Sequence, residues 1–279
     1  MNAVLRMSIE VTCRYVIKMK MLIIKSISMK NSIIKLRKIH FKVVLCLVLL
    51  GFIAPGASGQ LVQKLELGAF KSISLNSNYR VILRQSNKQE VTVKVEEEIW
   101  KATTIWVDNG VLHIDIKRDD NEKKSVWAKI DNIKIRPTMD VNISVPEIEK
   151  ISVNGGGIVE AENSLTTDNL VLEMNGSGSM NIDARAKSLK ASVFSTGEIK
   201  ISGYSDNMDL MVGGKGKFSG FEFDTKSAKV ITRGESVGEV NVSEKIDAEV
   251  YGNGTVLHKG DTKNVTRKIF GDGKVNKSY

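Results

Sequence analysis

The sequence predicts an all-β chain: a β-solenoid, or β-helix, of about seven ~19-residue coils preceded by a β-rich N-terminal segment. Three observations predict it. Segments starting at Leu170, Leu189, Met208, Ala228, Ile246 and Val265 share one grammar and are spaced 19, 19, 20, 18 and 19 residues apart, with an earlier copy, ISVNGGGIVEAE, from Ile151. Within each copy apolar and polar residues alternate, which is the period of a strand and not of a helix. Finally, 18 of the 23 glycines lie beyond residue 150 and no proline follows Pro146. That partition suits corners that need positive φ and strands that must all donate to a ladder. One unit has nothing to lie against, so its apolar face is buried only when units stack. An ordinary antiparallel sandwich is the structural alternative.

Residues 1–59 read as an N-terminal extension and signal peptide. The basic stretch KNSIIKLRKIHFK precedes the apolar run Val43–Ala54, and PGASGQ follows, with Ala57 and Gly59 as the small residues before a cut between Gly59 and Gln60. The apolar run is 12 residues, short of the ~20 that a spanning helix needs. Residues 1–28 exceed what a signal requires, and Met29 is an alternative start. Both cysteines, Cys13 and Cys46, fall in this leader, so the mature chain is expected to hold no disulfide and no cysteine-ligated metal. Cys46 sits inside the apolar run, a poor place for lipid attachment.

The leader also explains the charge. The chain carries +9 overall, but ten of its 41 basic residues and one of its 32 acidic residues lie in 1–59, leaving 31 of each in 60–279. A neutral mature chain lacks the electrostatic footprint of a nucleic-acid binder.

Residues 60–148 form the β-rich segment. YRVILRQ and EVTVKVE alternate, and TIWVDNGVLHIDIK reads as a hairpin about Asn109-Gly110, a pair suited to a turn with two positive φ angles. That register sets Val107 against Leu112 and Ile105 against Ile114 on one face, and Trp106 against His113 on the other. KRDDNEKK is a charged, solvated loop, and Pro137 and Pro146 bracket an extended TMDVNISV. This segment is either a separate small domain or wider coils closing the first end of the solenoid.

Residues 149–279 are the Gly-rich repeats. Each is strand, Gly-rich corner, strand, and a polar corner such as TTDN, RAKS or YSDN. Inward positions on the first strand include Leu170/Leu172/Met174 and Leu189/Ala191/Val193. After the turn they include Val159/Ala161, Met180/Ile182, Ile199/Ile201, Val240/Val242 and Val256/His258. The corner MNGSGSMNID (174–183) has counterparts in VNGGG, FSTGE, VGGKG, YGNGT and FGDGK, so it is one corner of a series.

The order of VILRQSNKQEVTVKVEEE, DNGVLHIDIK, VNISVPEIEKISVNGGGIVEAE and NGSGSMNID resembles the putative auto-transporter adhesin head GIN domain family. The P-x-I-x-x-I-x-V-x-G-x-G passage at Pro146–Gly157 and the closing GDGKV are its strongest elements, and the resemblance spans about residues 65–277. It implies an exported, β-helical protein of the secreted or envelope class common in Bacteroidetes-type bacteria, with adhesion as its proposed role. No catalytic residues come with the resemblance. No membrane-barrel segment follows Tyr279 in this sequence, so the expectation is a head without a translocator of its own.

Chemistry is scarce. The Gly-rich corners lack the following helix and Lys-Ser/Thr of a phosphate loop, and they lack the fixed Asp of a calcium-binding roll. Outward acids such as Glu173, Asp209 and Glu249 do not line up with partners, as polysaccharide lyase or hydrolase chemistry would need. His258 falls at an inward position, where core or capping work is expected. No catalytic residue, cofactor or metal is assigned. Trp100, Trp106 and Trp127 are the candidate contacts for a partner or glycan, against a plain packing role. The reading is an exported, non-enzymatic, adhesin-like interaction module of the cell envelope or surface, located in the periplasm, on the outer surface or secreted. Its partner would be an envelope protein or glycan, and free strand edges at the ends of the stack point to self-association. The alternatives are a structural or stress-related envelope scaffold and, third, a carbohydrate-active enzyme.

Overall fold

The computed structural model describes residues 60–117 and 139–278; the leader with Cys13, Cys46 and Gly59, the KRDDNEKK loop beyond Lys117, and Trp127 lie outside the described residues. On their first strands the repeats from Leu170 onward stack in parallel at the spacing read from the sequence. β10 (Leu165–Met174), β11 (Ser179–Val193), β12 (Glu198–Gly214), β13 (Lys217–Gly234), β14 (Val237–Gly252) and β16 (Asn264–Phe270) stack Leu170, Leu189, Met208, Ala228, Ile246 and Val265 in one column. A second column runs Met180, Ile199, Phe218, Gly238, Val256 and Val275, the last two on β15 (Thr255–Lys259) and β17 (Lys274–Lys277). With β8 (Lys150–Val153) opening the series, seven turns share one core. Each buried side chain contributes roughly 1.5–3 kcal/mol.

Three details differ from the predicted grammar. The first copy is set two residues along, because Ile151 pairs with Leu172 and not with Leu170. Val240 pairs with His258, so Gly238 takes the place opposite Val256. A Cβ on Gly238 would meet Val230, Leu210 and Thr232 at 3.5–3.7 Å, whereas the Phe218 ring, one coil earlier, fills the space a Cβ on Gly220 would need. The polar corners are continuous with the strands, for Ala184, Arg185 and Ala186 pair with Gly203, Tyr204 and Ser205 in the same ladder.

Hydroxyls explain that continuity. Thr167 and Ser205 each donate to the carbonyl two residues on, at 3.5 and 3.1 Å, while Thr225 gives its proton to Ser205 and Thr262 gives its own to the Glu244 carbonyl of the preceding coil at 2.7 Å. The bond satisfies an acceptor that the bend would otherwise strand. Ser205 and Thr225 are buried and also bond each other across one coil at 3.0 Å.

The first segment threads into the same stack out of chain order. β2 (Ser72–Asn76) pairs in parallel with β6 (Val111–Ile116) on one side and β8 on the other. β3 (Arg80–Gln85) lies likewise between β7 (Met139–Val145) and β9 (Ile158–Ala161). The coil made first by the chain therefore sits between two made later. Antiparallel strands close that end: β5 (Thr103–Asp108) on β6, β4 (Glu90–Glu96) on β7, and β1 (Gln60–Leu65) on β4. The hairpin register is as read from the sequence, with Val107 opposite Leu112 and Trp106 opposite His113.

A short helix, α1 (Glu97–Ala102), joins β4 to β5. Tyr79, buried in the β2–β3 corner, ties coil to cap through a 2.7 Å bond to the Thr103 hydroxyl. Burial pushes its phenol up to about 12, against the opposing pull of that bond.

Candidate interaction surfaces

The outward side chains form columns, because each recurs at one position of every coil. At the polar corner Asp168 pairs with Lys187 at 2.9 Å and Asp206 with Lys226 at 2.7 Å, so charge alternates coil by coil. On the first strand Lys190, Asp209, Lys229 and Asp247 alternate in the same way. Opposite charges on neighbouring strands support the ladder and leave its face polar without a net field.

The acids read from the sequence are held by these neighbours. Burial raises the Glu173 carboxyl, but bonds from Lys150 and Ser152, both 2.8 Å, outweigh it and set it below the usual range. The Lys268 ammonium, at 3.1 Å, and the Tyr251 hydroxyl hold Glu249 below its usual value as well. Carboxylates fixed in the ionised form are poor general acids. In the depression lined by Lys229, Asp247, Ala248, Glu249, Thr266 and Lys268, both carboxylates are ion-paired, Asp247 with Lys245 at 2.8 Å and Glu249 with Lys268 at 3.1 Å. No group of three or more His, Asp or Glu suited to a metal exists among the described residues. Nor, among them, is any helix long and apolar enough to cross a membrane.

The Gly-rich corner has its N–H groups committed. Ser177 and Gly178 both donate to the Gly155 carbonyl, at 3.1 and 3.0 Å, and Ser179 donates to Gly157 at 3.1 Å. A Cβ on Gly178 would run into the Gly157 carbonyl, so the glycine is dictated by the stacking of corners.

The residue entering that corner forms a column of its own. It begins as an amide ladder, with Asn175 donating to Asn154 at 3.0 Å and Asn154 to Asn76 at 2.8 Å. It continues through Phe194, whose ring lies over Gly213, and then Arg233, Tyr251 and Phe270. The Arg233 guanidinium sits 5.5 Å over the Tyr251 ring, and Tyr251 stacks on Phe270 at 4.9 Å. Phe194, Tyr251 and Phe270 are all exposed. Sequence reading missed this column, although its signal was available: it is the residue after the third apolar position of each copy.

Of the tryptophans, Trp100 lies on α1 and packs partly buried against the core, while Trp106 on β5 is exposed and stacks on His113 at 4.7 Å. Trp127 lies outside the described residues. Gln60, on the far side of the expected cut, is the first residue of β1. His258 occupies an inward place and is 2% exposed, with neither ring nitrogen partnered.

A family model described as "Putative auto-transporter adhesin, head GIN domain" matches residues 69–262. The chain belongs to the GIN domain family. Several solved structures share its fold. A putative adhesin from Bacteroides fragilis superposes with a TM-score of 0.71 at 23% identity, over 80% of this chain and 98% of that one. A putative lipid binding protein from Parabacteroides distasonis gives 0.64 at 19%, and a putative adhesin from Parabacteroides merdae 0.62 at 16%, with the same coverage. Identities this low speak for the fold. No curated protein matches the chain.

Proposed function

We propose that this GIN domain chain is an exported, non-enzymatic interaction module of the cell envelope or surface, which holds an envelope protein or glycan on its extended outer faces. The observation that carries the reading is the corner column Phe194, Arg233, Tyr251 and Phe270, a line of exposed rings and one guanidinium along the side of the stack. Aromatic rings of this kind stack on sugar rings or anchor protein partners. Trp106, stacked on His113 at the other end of the ladder, is a second such face, and Trp100 and Trp127 belong to the same segment. The adhesin descriptions of the family and of two solved relatives agree with it.

A glycan array and a pull-down from envelope extracts test the proposal, together with Tyr251→Ala and Trp106→Ala. Capture that these changes abolish, at an unchanged melting temperature, is the expected result. A lower melting temperature with capture intact would return the rings to packing.

One observation favours a second reading, an envelope scaffold without a ligand. The outward charges pair along the ladders with each other, as Asp168–Lys187 and Asp206–Lys226 do. Such a scaffold would sit in the periplasmic fraction and capture nothing on either assay.

A further inference from the structure

The two ends of the stack are finished differently. Antiparallel strands close the end at β6 and β7, whereas at the other end β16 pairs only with β14 and β17 only with β15 among the described residues. The last coil also breaks the inward pattern. Leu172, Ala191, Leu210, Val230 and Ala248 make an apolar column that ends in Arg267. The column of Val240 passes through His258 and ends in Lys277. Between these two charges the core is left uncovered: Ile269, at the inward place of Val250, is 44% exposed, and Phe270 is 55% exposed. Arg267, Lys274 and Lys277 have no ion-pair partner among the described residues, and beneath them both nitrogens of His258 are unpartnered.

We propose that the outer edge of β16 and β17 takes an extended acidic peptide segment as the next strand of the ladder. The register dictates its pattern. A parallel strand laid on β16 sets one residue against each of Val265, Arg267, Ile269 and Phe270. The fitting sequence is apolar–x–Asp/Glu–x–apolar–aromatic, with the carboxylate on the Arg267 guanidinium and the aromatic ring on Phe270. Main-chain bonds along the free edge supply affinity and the alternate side chains supply selectivity. Charge excludes the obvious competitors. A second copy meeting this one edge to edge would set Arg267, Lys268, Lys274 and Lys277 against their own counterparts, and the leader carries ten basic residues to one acid. Basic residues on an edge repel further copies of the same strand; here they also choose what can replace it. The docking edge shares only Phe270 with the side faces invoked above, so Arg267 tests it apart from them, and the terminal coil lies beyond the residues 69–262 that the family model matches.

The test is fluorescence anisotropy with the purified chain and a capped, labelled peptide reading valine–threonine–glutamate–serine–isoleucine–tyrosine. Controls are its lysine-for-glutamate version, a backbone N-methylated version, and oligogalacturonate as an acidic glycan. The glutamate peptide should bind, and the lysine and N-methylated peptides should not. Arg267→Glu should weaken the glutamate peptide by roughly tenfold or more and admit the lysine peptide instead. Lys277→Glu should weaken it less. Both residues are exposed, so circular dichroism melts should stay unchanged. Absence of binding, indifference to Arg267→Glu, or equal competition by the N-methylated peptide or oligogalacturonate would overturn the proposal, leaving the cations as guards of an otherwise idle edge.

Discussion

Thr232 sits in a column of valines, in register with Val212 before it and Val250 after it, and its buried hydroxyl has no partner. Threonine has the shape of valine but carries an oxygen that water cannot reach there. Thr232→Val should therefore raise stability by about 1 kcal/mol. For a domain of this size that is about 2–4 °C in melting temperature, readable by calorimetry. His258 presents the same conflict with a titratable group. Burial pushes its imidazole below the ordinary value, and Arg267 and Lys277 push the same way. The folded state thus binds the proton less readily than the unfolded chain, whose histidine titrates near ~6.5. The contribution is complete above that value and is lost as pH falls through the lower folded value. Melting temperatures of the parent should decline on acidification below about pH 6.5, and those of His258→Val should decline less. Equal slopes would assign the decline to other groups.

At the scale of the element, the corner hydroxyls are the parts to test. Thr225 donates to Ser205, which closes its own bend onto the Asn207 carbonyl, so removing one hydroxyl leaves the other partly unsatisfied. Ser205→Ala and Thr225→Val should each cost about 1 kcal/mol in urea denaturation, with the double change costing less than the sum. Additive losses would mean that the two corners act separately. How far these elements were legible follows from the same physics. Period-two alternation and the ~19-residue spacing give the ladder register directly, because side chains at one address in every coil must suit one environment. The hairpin at Asn109-Gly110 was legible because both its residues take positive φ, 49° and 74°. The helix EEIWKA was not: six residues cannot show a helical period, and its ends are set by the strands it joins. The two-residue offset at Ile151 and the place of Gly238 opposite Val256 were also hidden, since both depend on how the neighbouring coil is set. Of the candidate contacts, the sequence marked Trp106 as outward through hairpin register, whereas Phe194, Tyr251 and Phe270 share only a place after the third apolar position, where Asn175, Gly213 and Arg233 stand in the other copies.

For the whole molecule the interposed coil matters most. Removing residues 60–148 would strip β8 and β9 of the partners β2 and β3 and bare two strand edges at once. A fragment of residues 149–279 should therefore aggregate or lose its cooperative melt, whereas the chain from Gln60 should stay monodisperse on size exclusion. A soluble, cooperatively melting fragment would instead make the Gly-rich repeats a domain in their own right. Hydrogen exchange should show the two finishes, with amides of β16 and β17 exchanging well before those of β6 and β7. The interposition also puts a clock into assembly. A ribosome delivers Ile73 long before Leu112 and Ile151, the residues on either side of it, so the earliest coil has to wait for both of its berths. The chain cannot zip from its beginning. β2 and β3 seat on β6 and β7 only once those strands have been made, and β8 and β9 then cover the edges they leave open.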